Sequence, residues 1–163
     1  MNIDRRAFLG AAGVAMVAGV AIMTYGGGAD AAPGRFPLRL TDAEWRARLT
    51  PRQYAVLRQG ETERPGSSPL DREHRRGVFG CAGCGLPLFS SATKFDSGTG
   101  WPSFFRPLPR AVVTRADNSL LMARTEVLCA RCGGHLGHLF NDGPRPTGLR
   151  YCMNGAAMTF RAA

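Results

Sequence analysis

Cys81-Ala82-Gly83-Cys84 and Cys129-Ala130-Arg131-Cys132 are two C-x-x-C knuckles, and their reading decides the fold. Each knuckle turns two thiols toward one point, and together they supply the four sulfur ligands of a closed, tetrahedral zinc site. The 44 residues between Cys84 and Cys129 exceed the gap of a compact zinc ribbon, so the metal is expected to staple distant parts of one larger domain. Two disulfides, or a dithiol redox pair, are the competing reading. The chain holds five cysteines, and the fifth, Cys152 in Arg150-Tyr151-Cys152-Met153-Asn154, belongs to neither knuckle. Four cysteines suit a scaffold and one is left for chemistry, the alternative for Cys152 being a buried apolar thiol.

The disulfide reading draws on the N-terminus. Asp4-Arg5-Arg6-Ala7-Phe8-Leu9-Gly10 precedes an apolar run from Ala11 to Met23 and a small-x-small cleavage signal at Ala29-Asp30-Ala31. This pattern is that of a twin-arginine signal peptide over residues 1–31, because the run falls short of the about 20 residues a membrane span needs. An uncleaved membrane anchor is the alternative. Twin-arginine export carries folded proteins, which suits a domain that takes up zinc before it reaches the periplasm. Residues 32–40, with Pro33 and Pro37, are a linker, and residues 41–163 form one domain long enough to bury a core. The formal net charge is +9 and almost wholly from arginine, Lys94 being the only lysine. The arginines are scattered from Arg35 to Arg161, so the excess is read as solubility and no nucleic-acid partner is expected.

Thr41-Asp42-Ala43-Glu44 is a capping box that opens a helix to about Leu49, and Thr50-Pro51 caps a second helix that Gly60 ends. Trp45, Leu49, Tyr54 and Leu57 would form the buried side of this pair. The turn-rich stretch Glu61 to Pro69 is expected to cross the surface. From Val78 the pattern changes to short strands: Val78 to Gly80, Leu86 to Phe89, Ala111 to Arg115, Leu120 to Leu128, His135 to Phe140, and Arg150 to Arg161 with a break near Gly155. Asp117-Asn118 reads as a hairpin turn. The sum is a mainly β domain of antiparallel strands with a helical N-terminal cover.

Lys94-Phe95-Asp96-Ser97-Gly98-Thr99-Gly100-Trp101-Pro102-Ser103-Phe104, Arg124-Thr125-Glu126-Val127, Gly134-His135-Leu136-Gly137-His138 and Gly148-Leu149-Arg150-Tyr151-Cys152-Met153-Asn154 follow one another in order. This succession resembles the B-type methionine sulfoxide reductases, peptide-methionine (R)-S-oxide reductases that repair the R epimer in oxidised proteins. The resemblance runs from about Leu40 to Phe160. It implies two antiparallel β-sheets of the β-tent (Mss4-like) kind with short N-terminal helices, a structural zinc held by Cys81, Cys84, Cys129 and Cys132 opposite the active site, and a catalytic cysteine at Cys152. It also implies that Trp101 packs its indole against the methyl group on the substrate sulfur, where the residue by itself reads equally as a core tryptophan. Phe104 and Phe105 are read as completing that wall, with ordinary core positions as the alternative.

Sulfoxide reduction needs a nucleophile at sulfur and a proton for the departing oxygen. Arg150 is expected to favour the Cys152 thiolate, a solvated arginine being the alternative, and of His135 and His138 one is expected to orient and protonate the oxygen while the other tunes Cys152, with Gly137 marking a bulge that brings both rings to one side. A local Cys₂His₂ metal site of Cys129, Cys132, His135 and His138 is the competing use of the histidines. Asn154 and Asp142 look like polar supports of the histidines and the catalytic loop, with a surface Asn and a turn Asp as alternatives. Many members of the family carry a resolving cysteine where this chain has Thr99. With no spare thiol, a sulfenic acid at Cys152 is expected to be recycled by an external reductant, either a small thiol or a thioredoxin-like protein. A zinc-stapled β module that binds a peptide or protein without catalysis is the alternative function.

Overall fold

The computed structural model describes residues 36–118 and 123–163. The expected signal peptide, and the start of the strand expected from Leu120, lie outside the described residues. Among the described residues no helix is long and apolar enough to cross a membrane. Two helices open the domain, α1 (Asp42–Arg48) and α2 (Pro51–Gln59). Each starts from a complete capping box, Thr41 with Glu44 and Thr50 with Gln53, and α2 stops where Gly60 takes the left-handed conformation at φ 75°. Trp45, Leu49, Tyr54, Val56 and Leu57 are buried beneath them.

The helical pair covers the knuckles. Arg48 and Arg58 donate to the carbonyls of Gly83 and Cys132, and the Leu57 side chain lies where a Cβ on Gly134 would stand, at 2.8 Å. The expected linker is part of this packing at its end: the Leu38 amide donates to the Arg131 carbonyl at 2.9 Å, and the Phe36 ring closes on Gly133.

Among the described residues nine strands follow: β1 (Gly77–Cys81), β2 (Pro87–Ser90), β3 (Lys94–Phe95), β4 (Ser103–Phe104), β5 (Val112–Asp117), β6 (Arg124–Cys129), β7 (His135–Phe140), β8 (Arg150–Met153) and β9 (Met158–Ala162). They form two antiparallel sheets, ordered β2-β1-β9 and β3-β4-β8-β7-β6-β5. The chain passes between them through a 3₁₀ turn at Gly155–Ala157, the break expected near Gly155. Asp117 is not in a turn. It is the last residue of β5 and pairs with Arg124 in the ladder.

The core fills the space between the sheets. Phe104 from β4 stacks on Phe89 from β2 at 4.3 Å and meets Phe79 from β1 edge-on at 5.0 Å, and all three are fully buried. Burial of this order contributes about 2–3 kcal/mol per ring. Side chains alternate across a strand, so Ser103 and Cys152, the neighbours of Phe104 and Tyr151, point to the other face of the six-stranded sheet. That face carries the candidate chemistry.

Candidate active site

Residues directly opposite in neighbouring strands share a face. The ladder registers therefore lay one row across the large sheet: Arg115 on β5, Glu126 on β6, His138 on β7, Cys152 on β8, Ser103 on β4 and Phe95 on β3. Two residues along, Asp117, Arg124, Phe140 and Arg150 join the same face. Cys152 thus stands between His138 and Ser103, and a cavity of about 180 Å³ opens over it. Thr62, Trp101, Arg124, His138, Phe140 and Asn154 line that cavity with the cysteine.

His135 does not line this cavity but stands beside His138, their ring centroids 5.3 Å apart. In an unbroken strand residues three apart face opposite ways. Here Val127 faces Gly137 and Leu128 faces His135, so Leu136 is the extra residue of a bulge beside Gly137. Its side chain enters the core, and its carbonyl accepts from both the Asn154 backbone amide at 2.8 Å and the Asn154 side-chain amide at 3.1 Å. Asn154 therefore holds the histidine strand by the carbonyl that the bulge leaves spare. Gly137 is required for a different reason: a Cβ there would lie 2.1 Å from the Cys152 carbonyl.

Carboxylates orient both histidines. His138 Nε2 donates to Asp117 Oδ2 at 2.8 Å, an oxygen that also accepts from Arg124 at 2.7 Å. His135 Nδ1 donates to Glu126 Oε1 at 2.7 Å, and Arg115 grips the other oxygen at 2.6 and 2.9 Å. Burial pushes the Glu126 carboxyl up, but the hydrogen bonds from His135 and Arg115 outweigh it and hold the group below its ordinary value. An ionised carboxylate only accepts, so each ring turns an N–H to its acid, and in the neutral His138 the lone pair is left on Nδ1. Burial lowers His138 below its ordinary value, with Arg124 and His135 adding to this against the Asp117 hydrogen bond, and the ring is uncharged at neutral pH. His135 Nε2 is buried with no hydrogen-bond partner among the described residues.

Cys152 differs from the expected ready thiolate. Burial pushes its thiol above the ordinary value, and this outweighs the charge of Arg150 and the hydroxyls of Thr99 and Ser103, which pull it down. Arg150 is held in a two-point pair with Asp142 at 2.8 Å on each oxygen, and its guanidinium lies 4.4 Å from the Phe140 ring centroid. Asp142 consequently supports Arg150 and does not touch a histidine. Phe104 is also placed differently from its expected role: it lies in the core on the far face, and the exposed Phe140 takes the place at the cavity wall. Phe105 does not line the cavity either.

Glu63 escaped the sequence reading, which put it on a surface turn. It is buried, and its carboxylate accepts from the amides of Gly155 at 2.5 Å and Ala156 at 3.0 Å and from Arg52 at 3.0 Å. Its backbone carbonyl accepts the Trp101 indole N–H at 3.1 Å, and its amide donates to the Asn154 side chain at 2.9 Å. One residue thus anchors the tryptophan, the asparagine and the turn after the cysteine strand. Glu63→Ala would leave the buried Gly155 amide and the half-buried Ala156 amide without acceptors, so we expect the unfolding free energy from chemical denaturation to fall by about 3 kcal/mol.

The knuckles meet at the end of β6 away from Arg124. Sγ atoms of Cys81, Cys84, Cys129 and Cys132 lie within 4.8 Å of one another, with Cys81 to Cys132 at 3.7 Å and Cys84 to Cys129 at 3.5 Å. Four sulfurs about 2.3 Å from one tetrahedral ion would stand about 3.8 Å apart, so the set fits a metal. The histidines, bound to carboxylates, take no part in it.

Residues 49–162 match the family profile described as SelR domain. The chain is 55% identical over 121 residues to a peptide methionine sulfoxide reductase MsrB of Agrobacterium fabrum, covering 74% of this chain and 90% of that protein. The protein of the same name from Thiobacillus denitrificans is 56% identical over 121 residues, with 74% and 92% covered. That of Methanosarcina mazei is 53% identical over 121 residues, with 74% and 86% covered.

Proposed function

The chain belongs to the SelR family of methionine sulfoxide reductases, and from that premise we propose how its own residues act. It is a peptide-methionine (R)-S-oxide reductase, an oxidoreductase that returns methionine sulfoxide to methionine at the expense of a thiol reductant. The observation that supports a role for Cys152 is the row across the sheet, which sets His138 on one side of the sulfur and the hydroxyl of Ser103 on the other under a wall of Trp101 and Phe140. A binding module without catalysis has no use for a cysteine so flanked.

In this reading the resting pair is a thiol and a neutral imidazole. Substrate closes the cavity, the Cys152 proton passes to His138, and Asp117 steadies the imidazolium. The thiolate attacks the sulfoxide sulfur while His138 gives the proton to its oxygen. The oxygen moves to Cys152: one S–O bond breaks and another forms, methionine leaves reduced by two electrons, and Cys152 is left as a sulfenic acid. Two external thiols then restore Cys152, releasing one water and one disulfide. Trp101 packs on the substrate methyl group, and Glu126 keeps His135 behind His138. A small thiol or a thioredoxin-like protein is the reductant we favour.

Zinc is the ion we assign to the four cysteines, because four thiolates suit it and leave no open coordination position. It would tie the end of β1 to the end of β6 and supply no chemistry to the reaction. Residues 1–31, outside the family match, are in this reading a twin-arginine signal that sends the folded protein to the periplasm. The test of function is reduction of the two epimers of methionine sulfoxide by the purified protein with dithiothreitol. We expect consumption of the R epimer alone, and equal rates on both would overturn the reading.

A further inference from the structure

Thr99 Oγ1 lies 3.9 Å from Cys152 Sγ and starts a chain of hydroxyls: Thr99 to Ser97 at 2.8 Å, Ser97 to Ser103 at 2.8 Å, and Ser103 to the Trp101 carbonyl at 3.1 Å. A carbonyl only accepts, and a hydroxyl has one proton to give. With its proton spent on Trp101, Ser103 accepts from Ser97, Ser97 accepts from Thr99, and Thr99 turns a lone pair toward the sulfur. The chain in this direction has four hydrogen bonds, the first being S–H to Thr99. It suits the thiol, the resting form that burial favours.

Loss of the sulfur proton puts that lone pair against an anion. Rotation of three O–H bonds reverses the chain: Ser103 donates to Ser97, Ser97 to Thr99, and Thr99 to sulfur. Three hydrogen bonds replace four, but one now goes to a charge, and such a bond is roughly twice as strong as a neutral one. The two directions are therefore nearly balanced, and no heavy atom has to move.

We propose that Thr99, Ser97 and Ser103 form a reversible hydroxyl chain that accepts from the Cys152 thiol at rest and donates to its sulfur once the proton has left. Thr99 is the donor at the head of the chain and Ser97 is a positioning residue that acts through it, while Ser103, directly opposite Cys152 in the sheet, ends the chain and also faces the sulfur. The charged groups that face the sulfur from the neighbouring elements are Arg150, which favours the thiolate while paired with Asp142, and His138, bound to Asp117 beside Arg124, with Asp96 the remaining acid of the adjoining loop. The hydroxyl chain rests on the role given to Cys152 above, and it assigns the place of a second thiol to a hydroxyl that cannot form a disulfide.

The test is the rate of iodoacetamide alkylation of the Cys152 peptide against pH, read by mass spectrometry on the metal-loaded protein, which needs no sulfoxide reduction. In Thr99→Val we expect the midpoint to rise by about one pH unit, the effect of one lost hydrogen bond to a charge. The rate near neutral pH should fall about tenfold. Thr99→Ser should restore the original midpoint, and Ser97→Ala, which does not touch the sulfur, should raise it by less. An unchanged midpoint in Thr99→Val, or in Ser97→Ala should the valine variant not fold, would overturn the proposal. A wild-type protein inactive on both epimers would overturn the assigned function and leave this profile readable.

Discussion

Cys152→Ser abolishes reduction of the R sulfoxide, by at least about 10⁴-fold in kcat/KM, and leaves the metal content and the unfolding midpoint where they were. A serine hydroxyl ionises far above the range of a thiol and is a poor nucleophile toward sulfur. The position faces the cavity and not the core, so one oxygen in place of sulfur leaves no void between the sheets. In the wild-type protein one equivalent of substrate should convert Cys152 to a sulfenic acid that dimedone traps. The outcome that defeats this account is a serine variant keeping a hundredth of the activity. A disulfide from Cys152 to one of the four knuckle cysteines after a single turnover, with metal release, would defeat it equally.

Removing one knuckle ligand should cost the whole domain. Cys129 is fully buried at the end of β6, and its sulfur sits 3.5 Å from that of Cys84 in the other knuckle. A structural zinc contributes about 10–16 kcal/mol to small metal-bound folds, against about 5–15 kcal/mol of net stability for a typical domain. The two are of one size, so Cys129→Ser should lose its metal, its near-ultraviolet dichroism and its cooperative unfolding together. A strong chelator acting on the wild-type protein should do the same more slowly. A Cys129→Ser protein that unfolds cooperatively at the wild-type midpoint, or a wild-type protein whose peptide map shows two disulfides, would refute the metal staple.

Local chemistry made much of the fold legible. Both capping boxes, the Pro51 start and the Gly60 stop are signals confined to a few neighbouring residues, and both helices lie where those signals put them. The apolar runs of β1, β2, β7 and β8 announced themselves by composition. The strands β3 and β4 did not, because two residues among Gly98, Gly100 and Pro102 show no period. Yet β4 lies beside the cysteine strand, and its register separates Ser103 from Phe104, one toward the sulfur and the other into the core.

By itself, the sequence determined the kinds of chemistry available: four cysteines in two matched knuckles, a fifth left over, two histidines three apart, and a tryptophan between glycine and proline. Which groups those residues meet was decided only by the tertiary structure. Asp117, Glu126 and Glu63 carry no local sign of their roles, since an acid on a strand or in a turn reads as solvated until its partner is known. The partners lie 21, 9 and 92 residues away, at His138, His135 and Gly155. A one-residue bulge at Leu136 and the close approach allowed at Gly137 set which side chains share a face. Burial, a property of the packed sheets and not of the chain, turns Cys152 from the thiolate its neighbour Arg150 suggested into a resting thiol.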